Sequence, residues 1–131
     1  LRGTLIWRGG HTLLELLPES LEAAPAPGLA EERVAALGRR TLRGEIVDSK
    51  CFLGVMKPGT GKLHRACAVR CLSGGIPPAL RTADGLVLLL RADGRVPGRE
   101  ILPFVARSVT VTGALERHGD RLVLRMERDP A

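Results

Sequence analysis

From residue 41 onward the chain is written as short runs of alternating apolar and polar residues, broken by glycine-bearing turns. That pattern leaves few folds open. The clearest run is 41–47, where Leu42, Gly44 and Ile46 alternate with Arg43 and Glu45. A long interruption at 48–78 follows, then strand-like segments at 79–82 and 86–91 with a turn at Asp84-Gly85 between them. A further turn falls at Asp93-Gly94, and residues 97–105 fit one short, proline-interrupted helix. Two last strands, 108–116 and 121–127, meet at Gly119-Asp120.

Five strands with a helix between the third and the fourth is the order of an OB-fold barrel. The expected fold is therefore mainly β: an OB-like five-stranded small barrel, with a ligand-bearing helical insertion after its first strand. Another small antiparallel barrel or a sandwich is the alternative. Closing the sheet removes its edges, which suits a short domain without large aromatics. The chain has no Tyr, Asn or Gln, and only Trp7, Phe52 and Phe104 are aromatic, so the core must be made of Leu, Val, Ile and Ala.

Residues 1–40 read as a separate N-terminal part, with 41–131 as the OB-like β-domain. Two β-rich runs flank Gly9-Gly10, a hairpin signal because paired glycines supply the positive φ that a tight turn needs. A Pro/Ala-rich linker follows at 18–28. Residues 29–37 then fit a short helix, with Leu29, Ala30, Val34 and Leu37 on one face and Gly38 as its stop. The hairpin has an echo: Leu1-x-Gly3-x-Leu5-x-x-x-Gly9 repeats as Val111-x-Gly113-x-Leu115-x-x-x-Gly119, each leading into a Leu-rich strand. Convergence among abundant Gly and Leu can produce such a match; a duplicated hairpin, the remnant of an upstream module, is the sharper reading.

The 131 residues carry 20 Lys+Arg against 14 Asp+Glu, a net charge of +6. Single-stranded nucleic acid is not the favoured partner, since stacking aromatics are almost missing and the arginines are scattered. Arg outnumbers Lys and thermolabile amides are absent, which fits a thermophilic source; a GC-rich genome explains the same bias. The longest apolar run, Leu86 to Leu90, is far below the ~18 residues of a membrane span. The chain shows neither an export signal nor an initiator Met; an extracytoplasmic or membrane-attached place through a missing N-terminal segment is one expectation, and the cytoplasm is the alternative.

All three cysteines fall within 48–78, together with His64, in the spacing Cys51-x12-His64-x2-Cys67-x3-Cys71. Residues 62–72 fit a helix stopped by Gly74 or Gly75, and His64, Cys67 and Cys71 then share one face at i, i+3 and i+7. Cys51, at the end of the first long strand, can close the set. Four such donors suit a tetrahedral metal, and thiolates select Zn, Cu(I) or iron–sulfur chemistry over Mg or Ca. The spacing is not that of a common zinc finger. Two other readings stand beside it: cysteines buried as small apolar residues, and a disulfide from Cys51 to Cys67 or Cys71 that leaves one thiol free. Clustering of every cysteine disfavours the first, and the odd count makes a pure disulfide framework awkward.

Gly54, Gly59, Gly61, Gly74 and Gly75 would let backbone amides approach the sulfurs, and Pro77-Pro78 would stiffen the exit; that each is a turn residue and nothing more is an equal reading. A nucleophilic pair of Cys51 or Cys67 with His64, oriented by Asp48, is a weaker reading; nearby Lys and Arg would lower its thiol pKa. The run Lys57 to Lys62 fails as a phosphate loop, because Leu63 stands where Ser or Thr would bind Mg. His11 and His118 sit near hairpin turns and read as surface residues.

The motif Gly44-Glu-Ile-Val-Asp48-x-x-Cys51, followed by His64-x-x-Cys67-Ala-x-x-Cys71-x-x-Gly74-Gly75-x-Pro77, resembles a group of uncharacterised bacterial proteins. Those proteins are predicted to be exported or membrane-attached and to carry an OB-like β-domain. The resemblance covers 41 to about 90. It implies an extracytoplasmic domain with a ligand cluster of Cys51, His64, Cys67 and Cys71, and it brings no reaction with it.

The expected function is a non-catalytic metal-binding module of a bacterial envelope or membrane complex, with a protein partner. Zinc comes first, because four protein ligands leave no open position. The alternatives are an iron–sulfur electron-transfer module on the same residues, serving a membrane respiratory partner, and a thiol/disulfide redox protein.

Overall fold

The computed structural model describes residues 1–23, 33–54 and 56–131. It contains an N-terminal hairpin of β1 (Gly3–Arg8) and β2 (His11–Leu16), followed by a 3-10 turn at Pro18–Ser20. Then come β3 (Val34–Asp48), α1 (Ser49–Leu53), α2 (Gly61–Ser73), β4 (Pro78–Arg81) and β5 (Leu86–Arg91). A 3-10 helix at Arg99–Phe104 precedes β6 (Ser108–His118) and β7 (Arg121–Met126).

Strands β3 to β7 form one sheet in the order β3-β4-β5-β7-β6, and β6 pairs back onto β3. Each strand thus has two neighbours and the sheet closes on itself. All pairs are antiparallel except β5 with β7. The fully buried side chains include Ile46, Leu80, Leu89, Ile101, Val105, Val111 and Leu124, an aliphatic interior as the composition required. Ala68 and Leu72 of α2 join the same cluster, so the insertion is packed on the sheet and not hung from it.

The expected helix at 29–37 is not formed where the structure describes it. Residues 29–32 lie outside the described residues, and from Val34 the chain is already strand, which also moves the start of β3 seven residues ahead of Thr41. The cause is tertiary: Val34, Ala35 and Ala36 pair with His118, Arg117 and Glu116 of β6, and that ladder outweighs a weak local helical pattern. Gly38, expected as a helix stop, has φ +81° and makes the register shift of a bulge between Ala36 and the next paired residue. The division after residue 40 therefore falls inside β3. Of the linker, residues 18–20 form the 3-10 turn and 24–28 lie outside the described residues.

The hairpin packs on α1. Arg8 Nη1 donates to the carbonyls of Phe52 (2.8 Å) and Gly54 (3.3 Å), with its guanidinium over the Phe52 ring. Lys50 pairs with Glu15 of β2. Between hairpin and sheet lies a cavity of about 320 Å³, walled by Leu13, Leu53, Leu86, Leu88 and Leu122. Among the described residues no helix is long and apolar enough to cross a membrane.

Candidate metal centre

The centre is built where β3 ends. Asp48 is the last residue of that strand and the N-cap of α1, and its Oδ1 accepts the Cys51 amide at 2.7 Å. Asp48 also pairs with Pro78, the first residue of β4, so the chain leaving α2 returns to the same point. Capping fixes Cys51 in the first turn of α1 with its side chain buried. From the other side, Glu45 of β3 accepts the Gly61 amide at the start of α2. The helix then carries Cys67 and Cys71 one turn apart.

Cys51 Sγ lies 3.9 Å from Cys67 Sγ and 3.8 Å from Cys71 Sγ, and all three cysteines are free thiols. A disulfide would bring one pair to about 2.05 Å. By contrast, Zn–S bonds of about 2.3 Å set at tetrahedral angles put the sulfurs roughly 3.8 Å apart. The donor atoms of Cys51, Cys67 and Cys71 all lie within 4.8 Å of one another, and so do those of Asp48, Cys51 and His64. Cys51 belongs to both sets. The three expected cysteines are thus brought together, whereas His64 does not join all three thiols in a single set at that spacing.

His64 is buried, and its Nε2 lies 2.9 Å from Oδ2 of Asp48, itself fully buried. That bond leaves Nδ1 as the ring's remaining donor atom, and a carboxylate behind an imidazole is the usual support of a metal-bound histidine. Asp48 thus serves the Cys51 backbone with one oxygen and His64 with the other. In the sequence Asp48 had only an orienting part in the weaker catalytic reading. Its cap position before α1, three residues ahead of Cys51, was the signal for its larger place.

Burial is the first cause that pushes the Cys51 thiol far above its ordinary range; the hydrogen bond and charge of Asp48 add to it. Burial raises Cys71 as well, with Asp48 and Cys67 adding to the shift and the Cys51 thiol offsetting part of it. The expected lowering by Lys and Arg is not what the site does. Lys50 turns to Glu15, and the charged group that acts on Cys51 is the Asp48 carboxylate, which accepts its backbone amide. The nucleophile reading loses support here: Asp48 does orient His64, but the Cys51 thiol lies against the Cys67 and Cys71 thiols, and burial and the Asp48 carboxylate push its pKa up, away from the reactive thiolate. Three thiols beside a buried carboxylate fit a multivalent cation well, since the ion supplies the positive charge that lets them ionise.

Gly74 and Gly75 donate to the last carbonyls of α2, including those of Cys71 and Leu72, so their work is ending the helix. His118 bonds Glu116 at 2.7 Å and is only partly exposed, and His11 lines the cavity. No thiol lines that cavity. No protein-family model matches the chain, and neither does any curated protein or solved structure.

Proposed function

We propose that this is an OB-like barrel stapled by one metal ion, zinc first, bound by Cys51, Cys67 and Cys71 with His64 as the fourth donor. The observation that carries the reading is the 3.8–3.9 Å separation of the Cys51 sulfur from the other two. Asp48 would hold the imidazole, and the buried position of Cys51 and His64 matches a closed site. Bound there, a zinc ion supplies a cross-link and no reaction: it ties the end of β3 and α1 to α2. The strand order, the parallel β5–β7 pair and the helical insertion after β3 support the OB-like description, although the third-to-fourth connection is only a 3-10 helix. Such a scaffold works through its surface, as an accessory or interaction module. The resemblance at 41–90 supports an envelope or membrane complex as its setting, which fractionation of source cells tests.

Elemental analysis of protein purified anaerobically without an affinity tag tests the centre. One equivalent of zinc is the expected result. Iron with sulfide would replace the reading by an electron-transfer one, and no metal would remove it. Cys67→Ser should lose the metal and lower the melting temperature by on the order of 10 °C; unchanged metal content and melting would refute the ligand role.

A further inference from the structure

The N-terminal hairpin and the hairpin that completes the closed sheet are the same object in two settings. Every pair of β1–β2 recurs in β6–β7 at one constant offset: Gly3↔Leu16 as Gly113↔Met126, Leu5↔Leu14 as Leu115↔Leu124, Arg8↔His11 as His118↔Arg121. Both turns begin with a positive-φ glycine, Gly9 at +56° and Gly119 at +62°. At Gly3 and at Gly113 a side chain would strike the carbonyl oxygen of the same cross-strand position, Glu15 in one and Arg125 in the other. Shared register, turn and close approach go beyond the shared abundance of Gly and Leu.

The two settings differ in what covers one face. In β6–β7 the face bearing Val111, Leu124 and Met126 is core, at 0%, 0% and 5% exposure, because β3, β4 and β5 close over it. The equivalent face of β1–β2 carries Leu1, Leu5, Leu14 and Leu16, exposed at 71%, 70%, 42% and 41%, with Trp7 beside them at 77%. Alternation in a strand assigns each residue to one face, so this is one contiguous apolar surface. The opposite face, with Ile6, Arg8 and Glu15, is the one turned to α1.

We infer that β1–β2 is the closing hairpin of a second barrel of the same kind, and that its bare face is covered by a three-stranded sheet equivalent to β3–β4–β5. In this chain those strands precede the closing hairpin, so the covering sheet is assigned to polypeptide upstream of β1. The second barrel would then rest its outer wall on α1, beside the thiol cluster. The inference does not depend on what metal the cluster holds.

The β3–β4–β5 sheet of this protein is itself the probe. A variant whose residues 111–126 are replaced by the sequence of residues 1–16 presents the bare face to that sheet in matching register. It should keep a cooperative melt, whereas the same graft shifted by one residue (the sequence of 2–17) puts Glu15 in the place of Leu124 and should not. Equal loss of the transition in both variants would overturn the inference. Two measurements on unaltered protein stand apart from the graft. The native polypeptide in source cells, sized by immunoblot, should exceed 14.0 kDa by at least the mass of a stretch like residues 34–107; a 14.0 kDa native chain would overturn it. The 131-residue chain should sediment as a monomer with Trp7 open to iodide quenching. A dimer that shields Trp7 would make a second copy the occupant, and a Trp7 emission shift on anionic phospholipid vesicles would make it lipid; either result would overturn the assignment.

Discussion

Asp48 concentrates the demands of the centre on one side chain. It caps α1, holds His64 and sits fully buried at the join of β3 and β4. Asp48→Asn keeps an oxygen for the Cys51 amide but removes the charge behind the imidazole. Its expected effect is a fold that survives with metal affinity lowered about 10–100-fold, measured by competition against a chromogenic chelator. An affinity equal to wild type would place His64 outside the donor set. Proton linkage gives a second test. The Cys51 and Cys71 thiols have pKa values raised by burial, so at neutral pH they are protonated and the metal must displace those protons. Affinity therefore rises with pH through the neutral range and falls toward acid, by up to roughly tenfold per pH unit for each proton displaced. A flat profile between mildly acid and mildly alkaline buffer would contradict it.

At the scale of elements, the hairpin is held to α1 by few contacts, and Arg8 makes the most specific of them. Arg8→Ala removes two hydrogen bonds to the carbonyls that end α1 and the contact with the Phe52 ring. Amide exchange across β1 and β2 should quicken by at least about tenfold, a loss of the order of one or two hydrogen bonds. Melting of the closed sheet should stay nearly unchanged; if the two fall together, hairpin and sheet unfold as one unit. Strands with a strong pattern, the alternation of β6 and the unbroken apolar run of β5, were legible in the sequence, and so was α2 from its ligand spacing. The first half of β3 was not: Val34 and Ala36 read equally well on a helix, and only β6, far along the chain, decides between the two. His64 shows the same limit at the site. Its spacing from Cys67 and Cys71 was visible, but its partner Asp48 lies 16 residues away and is reached only through the fold.

For the whole molecule, the order of the strands has a kinetic side. The sheet closes only when β3 meets β6, a pairing such as Thr41 with Thr112 that spans 71 residues. The thiols that converge on Cys51 span 20 at most. Contacts separated by a short loop form sooner than those across a long one, because less chain entropy is lost in bringing them together. A chain emerging from the ribosome thus carries all three thiols well before β6 exists. In refolding with cobalt(II) as the reporter ion, thiolate-to-metal absorbance should appear before Trp7-independent measures of sheet closure; simultaneous appearance would mean that the sulfurs wait for the ring. If the proposed metal staple holds, metal supply during synthesis, more than metal supply to the finished protein, sets how much of this chain reaches its native form.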